Sequence, residues 1–172
     1  MSAPFLTTDR LELWMPVKED IPRLFAVVAD VHTSRHFGAV PTESDHFTRF
    51  QRNAGSWYLN GYGGLMVRLR GRDEVIGNCG VFHSHRGLGP DFDDSPEGGW
   101  IIAHEHVGKG LGREAMEAVF AWFDRAHGPL RTVCMIAPEN EPSLRLAARL
   151  GFTAMRDAEF AGEAIRLLER LP

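Results

Sequence analysis

Apolar side chains near the start of the chain recur first with the period of a strand and then with that of a helix. Residues 5–15 alternate apolar and polar positions, with Leu11 and Leu13 on one face, as in an edge strand. Over residues 18–29 apolar side chains recur at helical spacing, and Pro22 lies in the first turn, where proline is tolerated. The pattern therefore predicts an edge strand followed by an amphipathic helix.

A second helix is predicted after a loop at residues 30–42. Thr42 or Ser44 is suitable as its N-cap, and the glycine-rich residues 61–64 end it. Its aromatic face consists of Phe47, Phe50, Trp57 and Tyr58.

The middle of the chain is predicted to contain three strands. Residues 64–70 and 74–83 flank the short turn 71–73, which indicates a hairpin. Residues 84–96 are rich in Gly, Pro, Asp and Ser and are predicted to form a loop. A further strand is expected at 97–103.

The last third of the chain alternates helices and strands. A glycine-rich turn at 108–112 leads into a helix with one apolar stripe, which ends near Ala126. The remaining elements are predicted to be a strand at 130–136, a helix at 140–150 and strands at 152–156 and 163–168. The order β-α-α-β-β-β-α-β-α-β-β contains no internal repeat and no long linker. We therefore expect one α/β (α+β) domain over residues 1–172.

Composition narrows the class of protein. The chain has 172 residues, of which 44% are hydrophobic and 24% charged, as in average globular proteins. It has no run of about 20 apolar residues and no basic start followed by an apolar segment, so we expect neither a membrane partner nor secretion. Two isolated cysteines, Cys79 and Cys134, then favour the cytoplasm. A net charge of -4 without a single-sign block argues against nucleic acid and fits a small-molecule or peptide amine.

Two histidine pairs raise the question of a metal site. His83 and His85, like His104 and His106, are two residues apart, a spacing that on a strand turns both side chains to one face. No cysteine or carboxylate cluster completes either pair as a ligand set. We therefore expect no metal.

The glycines at 108, 110 and 112 follow a predicted strand and precede a helix. Alternate glycines let a backbone approach a ligand closely, and the free amides of the turn and of the helix start can bind a phosphate or diphosphate. A P-loop needs Ser or Thr after the lysine, and Lys109 lacks it. A dinucleotide fold needs a different glycine spacing near the start of a βαβ unit. A tight strand-to-helix turn without a ligand stays an alternative, as does an unrelated nucleotide site.

Four segments resemble the GCN5-related N-acetyltransferase (GNAT) superfamily, in particular its Rim-type branch of ribosomal-protein N-terminal acetyltransferases. They occur in the order found in that family and cover most of the chain. The segments are TTDRLELW at 7–14, EVIGNCGV at 74–81, EGGWIIAHEHVGKGLGREAM at 97–116 and ENEPSLRLAARLGF at 139–152. The resemblance implies a mixed, mostly antiparallel twisted sheet flanked by helices.

The resemblance also implies a binding site for acetyl-CoA as co-substrate. The residues that match the family's coenzyme contacts are Trp100, Ile101, Ile102, Val107, Gly108, Lys109, Gly110, Leu111, Gly112, Arg113, Asn140 and Ser143. The turn would bind the diphosphate through its amides, and the strand end would pair with the pantetheine arm. Val107 stands where the family usually has Gln or Arg.

Catalytic roles follow from the same resemblance. Glu97 matches an acidic residue that takes the proton of the amine, and Ser143 faces the sulfur of the coenzyme. Many members have a tyrosine where this chain has Ala147, so Ser143 is the candidate to replace it. The alternatives are an exposed loop position for Glu97 and a local hydrogen bond for Ser143.

The acceptor pocket is expected in the helix-loop-helix region. Its candidate walls are Phe37, Trp57, Tyr58 and His83, with core packing as the alternative, above all for Trp57. The function implied is transfer of acetyl from acetyl-CoA to a primary amine, on a protein N-terminus or a small molecule, by direct attack in a ternary complex. A non-catalytic acyl-CoA-binding module is the alternative function. The oligomeric state stays open, and a homodimer joined by terminal strands, frequent in this superfamily, is one alternative.

Overall fold

The computed structural model of the chain describes residues 3–37 and 39–172. These residues form one eight-stranded sheet and five helices. The strands are β1 (Leu6–Thr7), β2 (Leu11–Trp14), β3 (Gly64–Leu69), β4 (Val75–Phe82), β5 (Glu97–Ile102), β6 (Thr132–Ile136), β7 (Thr153–Phe160) and β8 (Glu163–Arg170). The helices are α1 (Asp20–Ala29), α2 (Glu43–Asn60), α3 (Pro90–Asp93), α4 (Leu111–His127) and α5 (Glu141–Arg149). None of the described helices is long and apolar enough to cross a membrane.

The strands lie in the order β1-β2-β3-β4-β5-β6-β8-β7. Within the described residues β5 and β6 are the one parallel pair, and every other neighbouring pair is antiparallel. This confirms the expected mixed, mostly antiparallel sheet with helices on its faces.

Two elements differ in kind from the sequence-based expectation, and the strand predicted at 152–156 is longer, since β7 extends to Phe160. The strand predicted at 5–15 is two strands, because the chain reverses where the Thr8 hydroxyl accepts the Leu11 N–H at 3.0 Å. This local bond between a side chain and the backbone closes a tight turn. The loop predicted at 84–96 contains the short helix α3, which begins at Pro90, a residue suited to the first helical position.

The core lies on both faces of the sheet. The predicted stripe of α4 is buried against one face, together with Leu11, Leu13 and Leu65. Its members are Ala115, Met116, Val119, Phe120 and Phe123, all at most 4% exposed. Helices α1 and α2 cover the other face, where Leu24, Val28 and Phe50 pack around Met66 of β3. Burial of apolar area on both faces stabilises the sheet.

β5 and β6 separate almost at once. β5 pairs with β4 at six register positions, but within the described residues it meets β6 at one, Glu97 opposite Val133. The next residue of β5 is tightly packed, since a Cβ on Gly98 would lie 3.2 Å from the Phe120 ring. From Gly98 to Ile102 the edge of β5 that faces β6 is therefore not used in the sheet.

Candidate active site

The separation of β5 and β6 opens a cleft of about 410 Å³, called here the β5–β6 cleft. It is bounded by β5, by the turn that leads into α4, by the start of α5 and by the connection between α1 and α2. The predicted residues that line it are Phe37, Trp100, Ile101, Ile102, Val107, Gly108, Gly110, Leu111, Gly112, Arg113, Asn140 and Ser143. The structure thus brings together every predicted coenzyme contact except the side chain of Lys109.

The turn before α4 presents a row of unused backbone N–H groups. Those of residues 108–113 have no acceptor within the described chain. Val107 differs from the expectation, because its N–H donates to the carbonyl of His104 at 3.1 Å. Unused amides at the start of a 17-residue helix form a site for an anion.

Two glycines of this turn adopt a backbone conformation that favours glycine. Gly108 and Gly110 have φ of 81° and 77°, in the left-handed region that other residues rarely adopt. Gly112 lies in α4, where a Cβ would be 3.4 Å from Leu146 of α5 and 3.5 Å from Ile102 of β5, which is ordinary van der Waals contact. Gly108 and Gly110 therefore shape the turn.

The turn is held from behind by the hairpin β1–β2. Arg10 donates to the carbonyl of Lys109 at 2.9 Å and to the carboxylate of Glu114 at 2.6 Å. The same carboxylate accepts the backbone N–H of Arg10 at 2.9 Å and the Thr8 hydroxyl at 2.6 Å. We call Thr8, Arg10, Lys109 and Glu114 the turn clamp. It fixes the turn to the first turn of α4 through charge-assisted bonds.

The electrostatics of the clamp keep Glu114 ionised. Burial alone would raise the pKa of its carboxyl, but the hydrogen bonds from Thr8 and Arg10 outweigh it and lower the pKa below its ordinary value. A lowered native pKa stabilises the fold above the pKa of the unfolded chain. That contribution is lost as the pH falls through the native pKa.

Across the cleft, the start of α5 orients a hydroxyl. Asn140 caps the helix and accepts the Ser143 N–H on its side-chain oxygen at 3.2 Å. The indole N–H of Trp100 donates to Ser143 Oγ at 3.3 Å. Because Trp100 can only donate, Oγ is the acceptor, and the hydroxyl hydrogen of Ser143 has no acceptor among the described residues. Ser143 can therefore donate to a group in the cleft.

The rim of the cleft is basic, which sequence reasoning missed apart from Arg113. Arg35, Arg145 and Arg149 also line it. Arg35 lies in the connection between α1 and α2, where it donates to the carbonyl of His32 at 3.2 Å. The two on α5 are four residues apart, a spacing that places them on one face of a helix and could have suggested a basic strip. Such a rim suits an anionic ligand.

Glu97 is not placed as expected. It is 4% exposed and does not line the cleft. Arg86 donates to its two oxygens at 2.7 and 2.8 Å, and the Ser84 hydroxyl donates to the same carboxylate. Glu97 is thus neither an exposed loop residue nor a free carboxylate. Its ion-pair partner Arg86 lies in the loop predicted at 84–96.

Three of the four expected acceptor walls lie outside the cleft. Trp57 packs against Phe5 and Trp122 and donates to the carbonyl of Gly64 at 2.9 Å, in agreement with the core-packing alternative. Tyr58 is 92% exposed on α2. His83 contacts the carbonyl of Asp93 at 3.0 Å through its Nε2. Phe37 alone of the four lines the cleft.

The histidine pairs do not lie on strands. His83 and His85 follow the end of β4, and His104 and His106 bound a 3-10 turn. The strand geometry that would turn both side chains of a pair to one face is therefore absent at both pairs. Among residues 3–37 and 39–172, no group of three or more His, Cys, Asp or Glu is placed to hold a metal ion.

A comparison with protein families identifies this arrangement. The model of the acetyltransferase (GNAT) domain matches residues 10–153, which include Arg10, Lys109 and Glu114 of the turn clamp, the residues that line the cleft and the start of α5. The chain belongs to the GNAT family. It is therefore an acetyl-CoA-dependent N-acyltransferase.

Individual relatives agree with this assignment. A solved structure from Bordetella pertussis, assigned to the GnaT acetyltransferase family, is 38% identical with a TM-score of 0.86, over 96% of this chain and 98% of that one. The uncharacterised N-acetyltransferase YoaA of Bacillus subtilis (strain 168) is 28% identical over 155 residues, 87% of this chain and 82% of YoaA. RimL, a ribosomal L7/L12 alpha-N-protein acetyltransferase solved with coenzyme A, shares the fold with a TM-score of 0.74 at 16% identity, over 96% of both chains.

The turn clamp predicts a measurable effect on use of the coenzyme by this GNAT enzyme. Arg10→Gln should raise the KM for acetyl-CoA about fivefold, the equivalent of ~1 kcal/mol, because a half-exposed ion pair that orders the turn is lost. Steady-state kinetics at saturating acceptor measures this.

The matched control for the clamp is Arg72→Gln, which removes the same charge from the turn between β3 and β4. It should leave the KM for acetyl-CoA unchanged. An unchanged KM in Arg10→Gln, or an equal rise in both variants, contradicts a role of the clamp in coenzyme binding.

Proposed function

We propose that this GNAT enzyme transfers acetyl from acetyl-CoA to a primary amine, on a protein N-terminus or a small molecule, by direct attack in a ternary complex. The observation that carries the proposal is the β5–β6 cleft itself. It has unused amides at one end, an unused strand edge along its side and a free hydroxyl donor across from it. These groups match the diphosphate, the amide-containing arm and the sulfur of one ligand.

The diphosphate is assigned to the amides of residues 108–113. Several N–H groups from a turn and a helix start can bind phosphate oxygens at once, and the helix dipole adds to the attraction. The rim arginines Arg35, Arg145 and Arg149 supply positive charge for the remaining phosphate.

The pantetheine arm is assigned to the free edge of β5. Its two amide groups can pair with backbone groups of residues 98–102, as an added strand pairs with a sheet edge. This places the thioester between β5 and the start of α5, with Ser143 nearby. Holding both substrates in one cleft converts a bimolecular attack into an intramolecular one.

The leaving thiolate is assigned to Ser143. A thiol has an ordinary pKa of about 8.5, so a thiolate is a fair leaving group near neutral pH and a hydrogen bond suffices to assist it. The indole of Trp100 occupies the oxygen of Ser143 and leaves its hydrogen available. Ser143 can take this role in place of the tyrosine that Ala147 replaces.

Proton removal from the amine is the least specified step. An ammonium is not a nucleophile, so a base or solvent must take its proton before attack. The carboxylate of Glu97 is engaged by Arg86 and Ser84, which supports a role in holding the loop after β4 against β5. We therefore assign Glu97 as a positioning residue and solvent as the acceptor of the proton that the ammonium loses.

The acceptor class is open between two kinds of amine. RimL is named for a protein N-terminus and AAC(6')-Ib for an aminoglycoside, and both share the fold of this chain, so the fold leaves both acceptor classes open. An acceptor screen that measures CoA thiol release with peptides, amino acids, polyamines and aminoglycosides tests the proposal. Tight binding of CoA without release of its thiol in the presence of any amine would instead indicate a non-catalytic acyl-CoA-binding module.

Ser143→Ala is expected to lower kcat by about 10- to 100-fold with little change in the KM for acetyl-CoA, because a hydrogen bond to a charged leaving group is lost. Ser44→Ala, the same change on the exposed start of α2, is the control. A kcat equal to that of the parent enzyme removes Ser143 from the chemistry.

Glu97→Gln is expected to lower the free energy of unfolding by about 3 kcal/mol, because Arg86 loses its counter-charge in a nearly buried pair. The acidic limb of the kcat/KM profile against pH should remain. Denaturant unfolding and the pH profile measure the two effects.

The control for this substitution is Glu159→Gln on the exposed β7, which should change neither quantity. If Glu97→Gln abolishes the acidic limb in a stable protein, Glu97 is the proton acceptor, and the positioning role is wrong.

A further inference from the structure

One face of α2 carries two arginines toward the side of the sheet opposite α4. Residues 49, 52, 53 and 56 share this face, since they are three, four and seven positions apart. Ser56 Oγ accepts the N–H of His83 at 3.4 Å, which fixes the face over the end of β4. Arg49 and Arg52 therefore lie above the strand that pairs with β5.

Arg49 lines a narrow pocket between α2 and the sheet. Asn78 of β4 and Ile101 of β5 also line this pocket, which we call the α2 pocket. Ile101 lines the β5–β6 cleft as well, so one residue separates the two spaces. Arg49 itself is exposed to solvent, as is Arg52 one turn later. The pocket thus approaches β5 from the side opposite the coenzyme.

Arg49 and Arg52 have no bonded counter-charge. Arg86 is already paired with Glu97 through two bonds. Among residues 3–37 and 39–172, neither Arg49 nor Arg52 has an acidic group within ion-pair distance. Two guanidinium groups on one face of α2 are therefore available to an anion.

The positive charge of Arg86 acts on both arginines of α2. Although Arg49 and Arg52 reach solvent, partial desolvation lowers the pKa of each, and the charge of Arg86 lowers both further. The charge of Glu97 acts in the opposite direction on both, and that of Asp45 does so on Arg49. Mutual repulsion of this kind is relieved when an anion binds between the groups.

We propose that Arg49 and Arg52 bind an anionic oxygen group, a carboxylate or a phosphate, carried by the amine that accepts the acetyl group. The inference rests on the proposed function and adds the substrate class. A guanidinium matches either anion with two parallel hydrogen bonds, and two of them one helical turn apart can share one group. Arg49 lines the α2 pocket and Arg52 lies one helical turn from it, whereas the exposed Arg72 and Arg125 do not line it.

The test uses pairs of acceptors that differ in the anionic group alone. The pairs are glycine and glycinamide, O-phosphoethanolamine and ethanolamine, and a tripeptide with Asp or Asn in second position. CoA thiol release gives kcat/KM for each member. The fraction of free amine differs between the two members of a pair. We therefore divide the kcat/KM of the anionic acceptor by that of the neutral acceptor and compare this ratio between enzymes. The pair whose ratio changes shows whether the two arginines bind a carboxylate or a phosphate.

The enzymes compared are the parent, Arg49→Gln, Arg52→Gln, the double variant and Arg125→Gln, which removes the same charge from the exposed face of α4. We expect the double variant to lower the ratio by about tenfold or more for at least one pair, with each single variant intermediate. Arg125→Gln should leave every ratio unchanged.

One result overturns the inference while the acetyl transfer stands. It is an anionic-to-neutral ratio that is the same in the parent and the double variant for every pair, whether or not both members lose activity equally. Release of no thiol from any acceptor by the parent enzyme contradicts the proposed function instead, and the anionic subsite with it. Circular dichroism of each variant confirms that the fold is retained.

Discussion

The early separation of β5 and β6 is the constraint on which the rest of the site depends. Unpaired backbone groups inside a sheet are costly unless something else pairs with them. Here the sheet leaves the edge of β5 unpaired after one register position and surrounds it with the turn before α4 and the start of α5. A ligand that contains amides and a diphosphate can satisfy these groups, and acetyl-CoA has both.

Elements far apart in the chain keep the cleft in shape. The hairpin β1–β2 reaches across to the turn through Arg10 and Glu114, which are separated by 104 positions. On the other side of β5, the pair of Arg86 and Glu97 attaches the loop after β4 to the base of the same strand. The coenzyme side of β5 therefore presents the unused N–H groups of residues 108–113. The side that faces α2 presents Arg49 and Arg52, which have no ion-pair partner among residues 3–37 and 39–172. This difference suits one ligand with phosphates and another with a single anionic group.

Much of the fold could be predicted from periodicity. The stripe of α4 is buried as its spacing predicts, and the glycine turn lies where a strand leads into a helix. The residues expected to contact the coenzyme lie along one cleft, apart from Lys109, because a continuous stretch of chain supplies most of them.

Three residues are placed differently from the expectation because of packing or hydrogen bonds that residue type and spacing do not show. Glu97 looked like a free carboxylate because its partner Arg86 lies in a segment that reads as an irregular loop. Trp57 belongs to an aromatic cluster with Phe5 and Trp122, which only the assembled sheet brings together. Val107 lies in the correct turn, but its N–H is used by a local 3-10 bond. In each case a tertiary or local hydrogen bond overrides what residue type and spacing favour.

A crystal structure of the chain with bound acetyl-CoA tests the central claim most directly. The account predicts diphosphate oxygens within about 3.2 Å of several amides of residues 108–113, with the arm along residues 98–102 of β5. A coenzyme bound away from the β5–β6 cleft, or bound there with those amides unused, would contradict it.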